Sequence, residues 1–136
     1  MVEVQIEYLG DLRCKLKHGP SGTEIVTDAP KDNEGKGESF SPTDLVAAAL
    51  GSCMITIMGI IARRHHIDLS GLKARVEKEM VSDPERRIGK LAITINFSRN
   101  YSEKERTLLE RAAMTCPVHR SIGHSIDIPV RFHYPD

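Results

Sequence analysis

The sequence predicts a mixed α+β domain with strands on both sides of one long apolar helix. Three observations carry that expectation. Apolar and polar residues alternate over 2–9, 12–18, 72–82 and 86–98, the period of half-buried strands. Leu45 to Ala62 is a run of 18 residues without a charge. Segment 102–115 is amphipathic with a helical period.

The first strand sets Val2, Val4, Ile6 and Tyr8 against Glu3, Gln5 and Glu7. Gly10-Asp11 turns the chain into a second strand, 12–18, with Leu12, Cys14 and Leu16 on one face. Gly19-Pro20-Ser21-Gly22 turns it again into a short third strand, 23–27. This N-terminal meander spans 2–28, and a polar loop follows at 29–40; loops of that length are usually functional or mobile. The central helix is expected over 41–65. Ser41 suits the N-cap, Pro42 the first helical position and Asp44 the capping-box acid. Residues 72–98 read as a hairpin turned at Asp83-Pro84, with Leu91, Ile93, Ile95 and Phe97 in phase. Ser102 and Glu105 open a helix over 102–115. Pro117 interrupts it, because the residue before a proline is pushed out of the α region. A short helix over 117–123 and a last strand over 126–134 complete a single domain, 1–136.

Composition narrows the function. The chain has 136 residues, 19 basic and 19 acidic, hence no net charge. Nucleic acid and acidic membranes call for a surplus of one sign, so neither is expected as a partner. Three cysteines do not make a secreted disulfide framework, and the N-terminal residues lack the basic and apolar blocks of a signal peptide. A cytoplasmic location is the expectation.

The uncharged helix reaches the lower edge of a membrane span. Gly51, Ser52, Cys53, Thr56 and Gly59 within it, and no second such segment, favour a buried core helix. One six-stranded sheet would cover one side only. A second copy of the chain is the economical cover for the rest, with Ala47, Ala48, Ala49, Gly51 and Gly59 allowing close approach.

Cys53 lies mid-helix among apolar residues, where burial alone raises a thiol pKa. Cys116 stands at the N-cap of the short helix, with His119 and Arg120 within one turn. There the free amides and the helix dipole favour a thiolate. Local chemistry thus makes Cys116 the better nucleophile, and a structural role for either cysteine stays open. Cys14 reads as structural. Cys116, His119, His124, His65 and His66 form a loose set of zinc donors without paired spacing, and no metal is expected.

The run Ser41-Pro42-Thr43-Asp44-Leu45 to Ala48-Ala49-Leu50-Gly51-Ser52-Cys53, followed by Cys116-Pro117-Val118, resembles the OsmC/Ohr family. These are the osmotically induced and organic-hydroperoxide-resistance proteins, and the wording SPTDL and CPVHRSI is similar to the YhfA-like branch. The resemblance covers nearly the whole chain. It implies an α+β fold of antiparallel sheets, built as an intertwined homodimer around two central apolar helices. It also implies a thiol-dependent peroxidase in which Cys53 attacks the hydroperoxide and Cys116 resolves the sulfenic acid to a disulfide. An external dithiol, from a lipoyl protein or of thioredoxin type, would restore the thiols with no bound cofactor.

By the same resemblance Arg13, after Gly10-Asp11-Leu12, supports the Cys53 thiolate. The family's glutamate at the helix start is replaced by Thr43. Asp44, about 100° further round the helix, and Glu38 in the preceding loop are the candidate acids, with His119 auxiliary. Leu50, Met54 and Ile57 around Cys53 suit an apolar organic hydroperoxide, with hydrogen peroxide as a second oxidant. Two other readings use the same residues: an apolar-ligand-binding protein of this fold with structural cysteines, and a small zinc protein.

Overall fold

The structure, a computed structural model, describes residues 1–136. It divides into two compact units, Met1–Val46 and Ala47–Asp136.

In the first unit, β1 (Val4–Gly10), β2 (Arg13–His18) and β3 (Glu24–Asp28) form an antiparallel meander. The β1–β2 connection is Asp11-Leu12, with φ of 53° and 62°. Positive φ at both central residues matches the right-handed twist of a two-residue hairpin. Gly10, at φ 84°, absorbs a register shift beside Tyr8. A bulky leucine in the left-handed region is strained, and two bonds hold it there. Leu12 N–H donates to Tyr8 Oη at 3.4 Å, and Leu12 O accepts Ala29 N–H at 3.2 Å. The turn therefore delivers Arg13 to the start of β2 in a fixed register, opposite Asp28. The loop 29–40 contains one 3-10 turn, Lys31–Asn33.

Helix α1 (Pro42–Arg64) begins with a reciprocal cap. Ser41 N–H donates to Asp44 Oδ2 at 2.9 Å, and Asp44 N–H donates to Ser41 Oγ at 3.1 Å. It ends in a Schellman motif with His66 at φ 54°, where Ile67 N–H reaches Ala62 O and His66 N–H reaches Arg63 O. His66 is thus a helix-terminating residue.

The second unit holds β4 (Lys73–Val81), β5 (Arg87–Asn96), α2 (Glu103–Ala113), α3 (Pro117–Ser121) and β6 (Val130–His133). Its core joins Leu50, Met54, Met58 and Ala62 of α1 to Leu91, Ile93, Ile95, Leu109 and Ala113, all buried. Gly51 lets α1 lie close on β4, since a Cβ there would stand 2.8 Å from Val76 Cγ2. The small residue expected at a contact between copies thus serves a contact within this unit.

Three expectations are corrected. The six strands form two three-stranded sheets, not one sheet. The second sheet is mixed: β4–β5 is antiparallel, but β6 runs parallel to β5. The chain leaves β5, passes through α2 and α3, and returns in the same direction; a helical crossover is what a parallel pair requires. The last strand is also shorter than 126–134, with only the isolated bridge Lys90–Asp127 ahead of it.

One stripe of α1 has no cover within the chain. Ala48, Ser52, Thr56 and Ile60 recur at four-residue spacing and are exposed, opposite the buried stripe. The helix is long and apolar enough to cross a membrane by length and composition alone.

Candidate functional site: a thiol pair and an arginine cluster

The second unit brings two of the three cysteines together. Cys53 projects from the middle of α1 and is half-buried; Cys116 precedes α3 and has no exposed surface. The two side chains are close enough for Cys53 to act on the Cys116 thiol. Cys116 is the N-cap of α3, and Pro117 provides the first helical residue. His119 N–H donates to Cys116 Sγ at 3.4 Å. His119 thus contributes its backbone amide to the sulfur.

The balance at Cys116 reverses the local expectation. Burial pushes the thiol up, and the hydrogen bond and charge of Cys53 push the same way. The amides of His119 and Val118 act in the opposite direction and are outweighed. The helix-terminal position lowers the pKa less than burial and the second sulfur raise it, so the Cys116 thiol sits above the ordinary cysteine range. The N-cap could be read from the sequence, but the partner sulfur 63 positions away could not.

The apolar neighbours divide. Leu50 and Met54 are fully buried core residues, while Ile57 is half-buried. Cys14, half-buried on β2, pairs in register with Tyr8 and Thr27.

The first unit gathers Arg13 and two carboxylates. Arg13 Nη2 lies 3.0 Å from Glu38 Oε1 and 3.4 Å from Asp28 Oδ2. Asp28 Oδ2 also accepts Glu38 N–H at 3.0 Å. That amide bond is the largest influence on Asp28. Together with Arg13 and the amides of Lys36 and Ala29, it holds the carboxyl below its ordinary range against the opposing effect of burial. Asp44 Oδ2 is engaged in capping α1. Asp28 was missed in the sequence, where it reads as the last residue of the meander, just past the third strand. The two-residue turn at 11–12 sets the register that places it opposite Arg13, and that was the available signal.

Within the chain no group of three or more His, Cys, Asp or Glu side chains converges as metal ligands.

The fold and this thiol pair define an α+β protein with two cysteines from separate helices in contact. The chain belongs to the OsmC-like protein family, whose profile matches residues 35–131. It is 47% identical to a candidate osmotic stress induced and detoxification response protein of Psychrobacter arcticus 273-4, with TM-score 0.92 over 98% of this chain and 96% of that one. An organic hydroperoxide resistance protein OsmC of Legionella pneumophila shares 16% identity and the fold, with TM-score 0.78 over 98% and 96% of the two chains. The organic hydroperoxide resistance protein OhrB of Bacillus subtilis is similar at 15% identity, with TM-score 0.72 over 97% of both. No curated protein matches the chain.

Proposed function

We propose that this protein is a thiol-dependent peroxidase that reduces organic hydroperoxides, with hydrogen peroxide as a second substrate. The observation that carries the reading is the closeness of the half-buried Cys53 to the buried Cys116, whose thiol pKa it helps to raise. Family membership and the organic-hydroperoxide-resistance proteins that share the fold support it.

In this reading the Cys53 thiolate attacks the terminal peroxide oxygen. The S–O bond forms as the O–O bond breaks, and the departing alkoxide takes a proton to leave as alcohol. Cys53 is then a sulfenic acid. Cys116 sulfur attacks the Cys53 sulfur, hydroxide leaves, and the proton of Cys116 completes a water molecule. A dithiol, of lipoyl or thioredoxin type, reduces the resulting disulfide by exchange and is itself oxidised to its cyclic disulfide. Arg13 is the cation assigned to the Cys53 thiolate, with Glu38 as the acid in place of the helix-start glutamate. Asp44 is left to helix capping. Ile57 is the substrate-facing apolar group, with Leu50 and Met54 forming the packed layer beneath it.

The protein works in this reading as a cytoplasmic homodimer. The exposed α1 stripe Ala48, Ser52, Thr56 and Ile60 supports a second copy, as do Val4, Ile6 and Tyr8 exposed along β1. Light scattering of the wild type should give twice 15.2 kDa, and Thr56→Glu should give a monomer. A wild-type monomer at micromolar concentration contradicts this assembly.

Turnover is the test of the function. Cumene hydroperoxide should be consumed catalytically with dihydrolipoamide or another dithiol as reductant, and Cys53→Ser should consume none. Equal consumption by wild type and Cys53→Ser would remove the proposal.

A further inference from the structure

We propose that the groove between the end of α1 and the outer face of α2 docks an acidic protein partner, the dithiol donor that returns the thiol pair to its reduced state. The proposal deepens the peroxidase reading and rests on it.

The groove has a volume of about 610 Å³ and is lined by His65, Glu103, Lys104, Thr107, Leu108 and Arg111. Lys104, Thr107, Leu108 and Arg111 follow the i, i+3, i+4, i+7 spacing of one helix face, while the buried Leu109, Ala112 and Ala113 of α2 lie on another. Two turns separate Lys104 from Arg111, about 10 Å along the axis, with Leu108 between them. Both cations are exposed, and Leu108 is half-buried.

The charges are the second observation. Neither Lys104 nor Arg111 has an acid three or four residues away on α2, where a helix pairs its own charges. Neither takes part in an ion pair elsewhere. Lys104 also stands in the first turn of α2, at the positive end of the helix dipole, where a cation is disfavoured. Glu103 is the single acid of the groove, against Lys104, Arg111 and His65, and Arg63 and Arg64 close the last turn of α1. A chain with no net charge thus keeps a local positive surplus around an apolar strip.

The complement of this pattern is an acidic amphipathic helix. Its apolar residue covers Leu108, and acids seven residues apart meet Lys104 and Arg111. The Arg111 end of the groove leads on to Cys116, five residues further along the chain, so a docked partner stands beside the thiol pair. None of the lining residues belongs to the α1 stripe assigned to the second copy. In the exchange, one donor thiolate attacks the Cys53–Cys116 disulfide and the second donor thiol displaces it. The donor leaves as a disulfide, and its two protons complete the two cysteine thiols.

The test forms the Cys53–Cys116 disulfide with diamide, so that its reduction is followed without peroxide. Two helical peptides carry the same terminal dithiol. One has glutamates seven residues apart with a leucine between them, and the other has glutamines in their place. The acidic peptide should reduce the protein about tenfold faster than its counterpart. That advantage should vanish when Lys104→Glu and Arg111→Glu are combined, and in about 0.5 M sodium chloride. Free dihydrolipoamide should reduce wild type and variant at one rate. Lys104→Gln, a milder change on an exposed side chain, should lose part of the advantage, and it decides the question if the double variant fails to fold. Equal rates for the two peptides, or an advantage that survives charge reversal, overturns the proposal. If diamide forms no Cys53–Cys116 disulfide, the thiol reading fails by itself. Fluorescence anisotropy of the labelled acidic peptide then still decides the groove: binding about tenfold weaker in the double variant supports docking, and equal binding overturns it.

Discussion

Cys53 on α1 lies near enough to Cys116, at the head of α3, to raise its thiol pKa. A pair already this close needs no large movement to form a bond. Substituting the resolving member should therefore leave the first oxidation intact. In Cys116→Ser, one equivalent of hydroperoxide should leave a Cys53 sulfenic acid that a dimedone-type reagent traps. Trapping at Cys116 in the reciprocal Cys53→Ser variant, at the wild-type rate, would reverse the assigned roles.

The raised thiol of Cys116 has a directional test. Burial is its first cause, and the hydrogen bond and charge of Cys53 come next on the raising side. Cys53→Ala removes the latter two, so the pH midpoint for alkylation of Cys116 should fall relative to wild type and stay above that of a free cysteine. The measurement is made in a Cys14→Ser background. A midpoint that stays or rises would mean the two sulfurs do not interact.

Asp28 links the arginine cluster to acid stability. Its pKa in the folded state lies below the unfolded value, so its contribution is complete above about pH 4 and is lost as pH falls through the folded value. Asp68, lowered by Ser70, adds a loss in the same window. The wild-type thermal midpoint should drop on acidification below about pH 4, and Asp28→Asn should show a lower midpoint at neutral pH and a shallower acid drop. Parallel curves would contradict an ionised, partnered Asp28.

Two glycines of α1 should respond oppositely to alanine. At Gly51 the new methyl meets Val76 Cγ2 at 2.8 Å, so overpacking should destabilise the protein by about 1–3 kcal/mol despite the better helix propensity. At Gly59 nothing of this chain lies within 4 Å, and alanine should stabilise the isolated chain by up to ~1 kcal/mol. Chemical denaturation of both variants in the Thr56→Glu background compares them. Equal and favourable effects would mean that α1 does not lie tightly on β4.

The strands, both long helices and the break at Cys116-Pro117 were legible because each is signalled locally by alternation, caps or a proline. The reciprocal cap of Ser41 with Asp44 and that of Ser102 with Glu105 stand where the sequence puts them. The split into two sheets and the parallel β6 were hidden, because strand partners are long-range choices that residue period does not encode. The same holds for the site. Cys116 has a readable local setting, yet its chemistry follows from burial and a sulfur on another helix. Asp28 carries no motif, and its role depends on the register that a strained turn imposes. The departure at Thr43 looked like a missing acid, and the structure gives Arg13 two carboxylates from elsewhere in the fold.

The central claim is that Cys53 and Cys116 are one redox pair. Its most direct test is stoichiometric. Reduced protein, freed of reductant, receives one equivalent of cumene hydroperoxide, is quenched by alkylation, and is read by intact mass and peptide map. Rapid loss of two thiols, a Cys53–Cys116 cross-link and a Cys14 alkylated as in the untreated control are expected. If Cys53 and Cys116 both alkylate as in the untreated control, the pair is not peroxidatic and the proposed function falls.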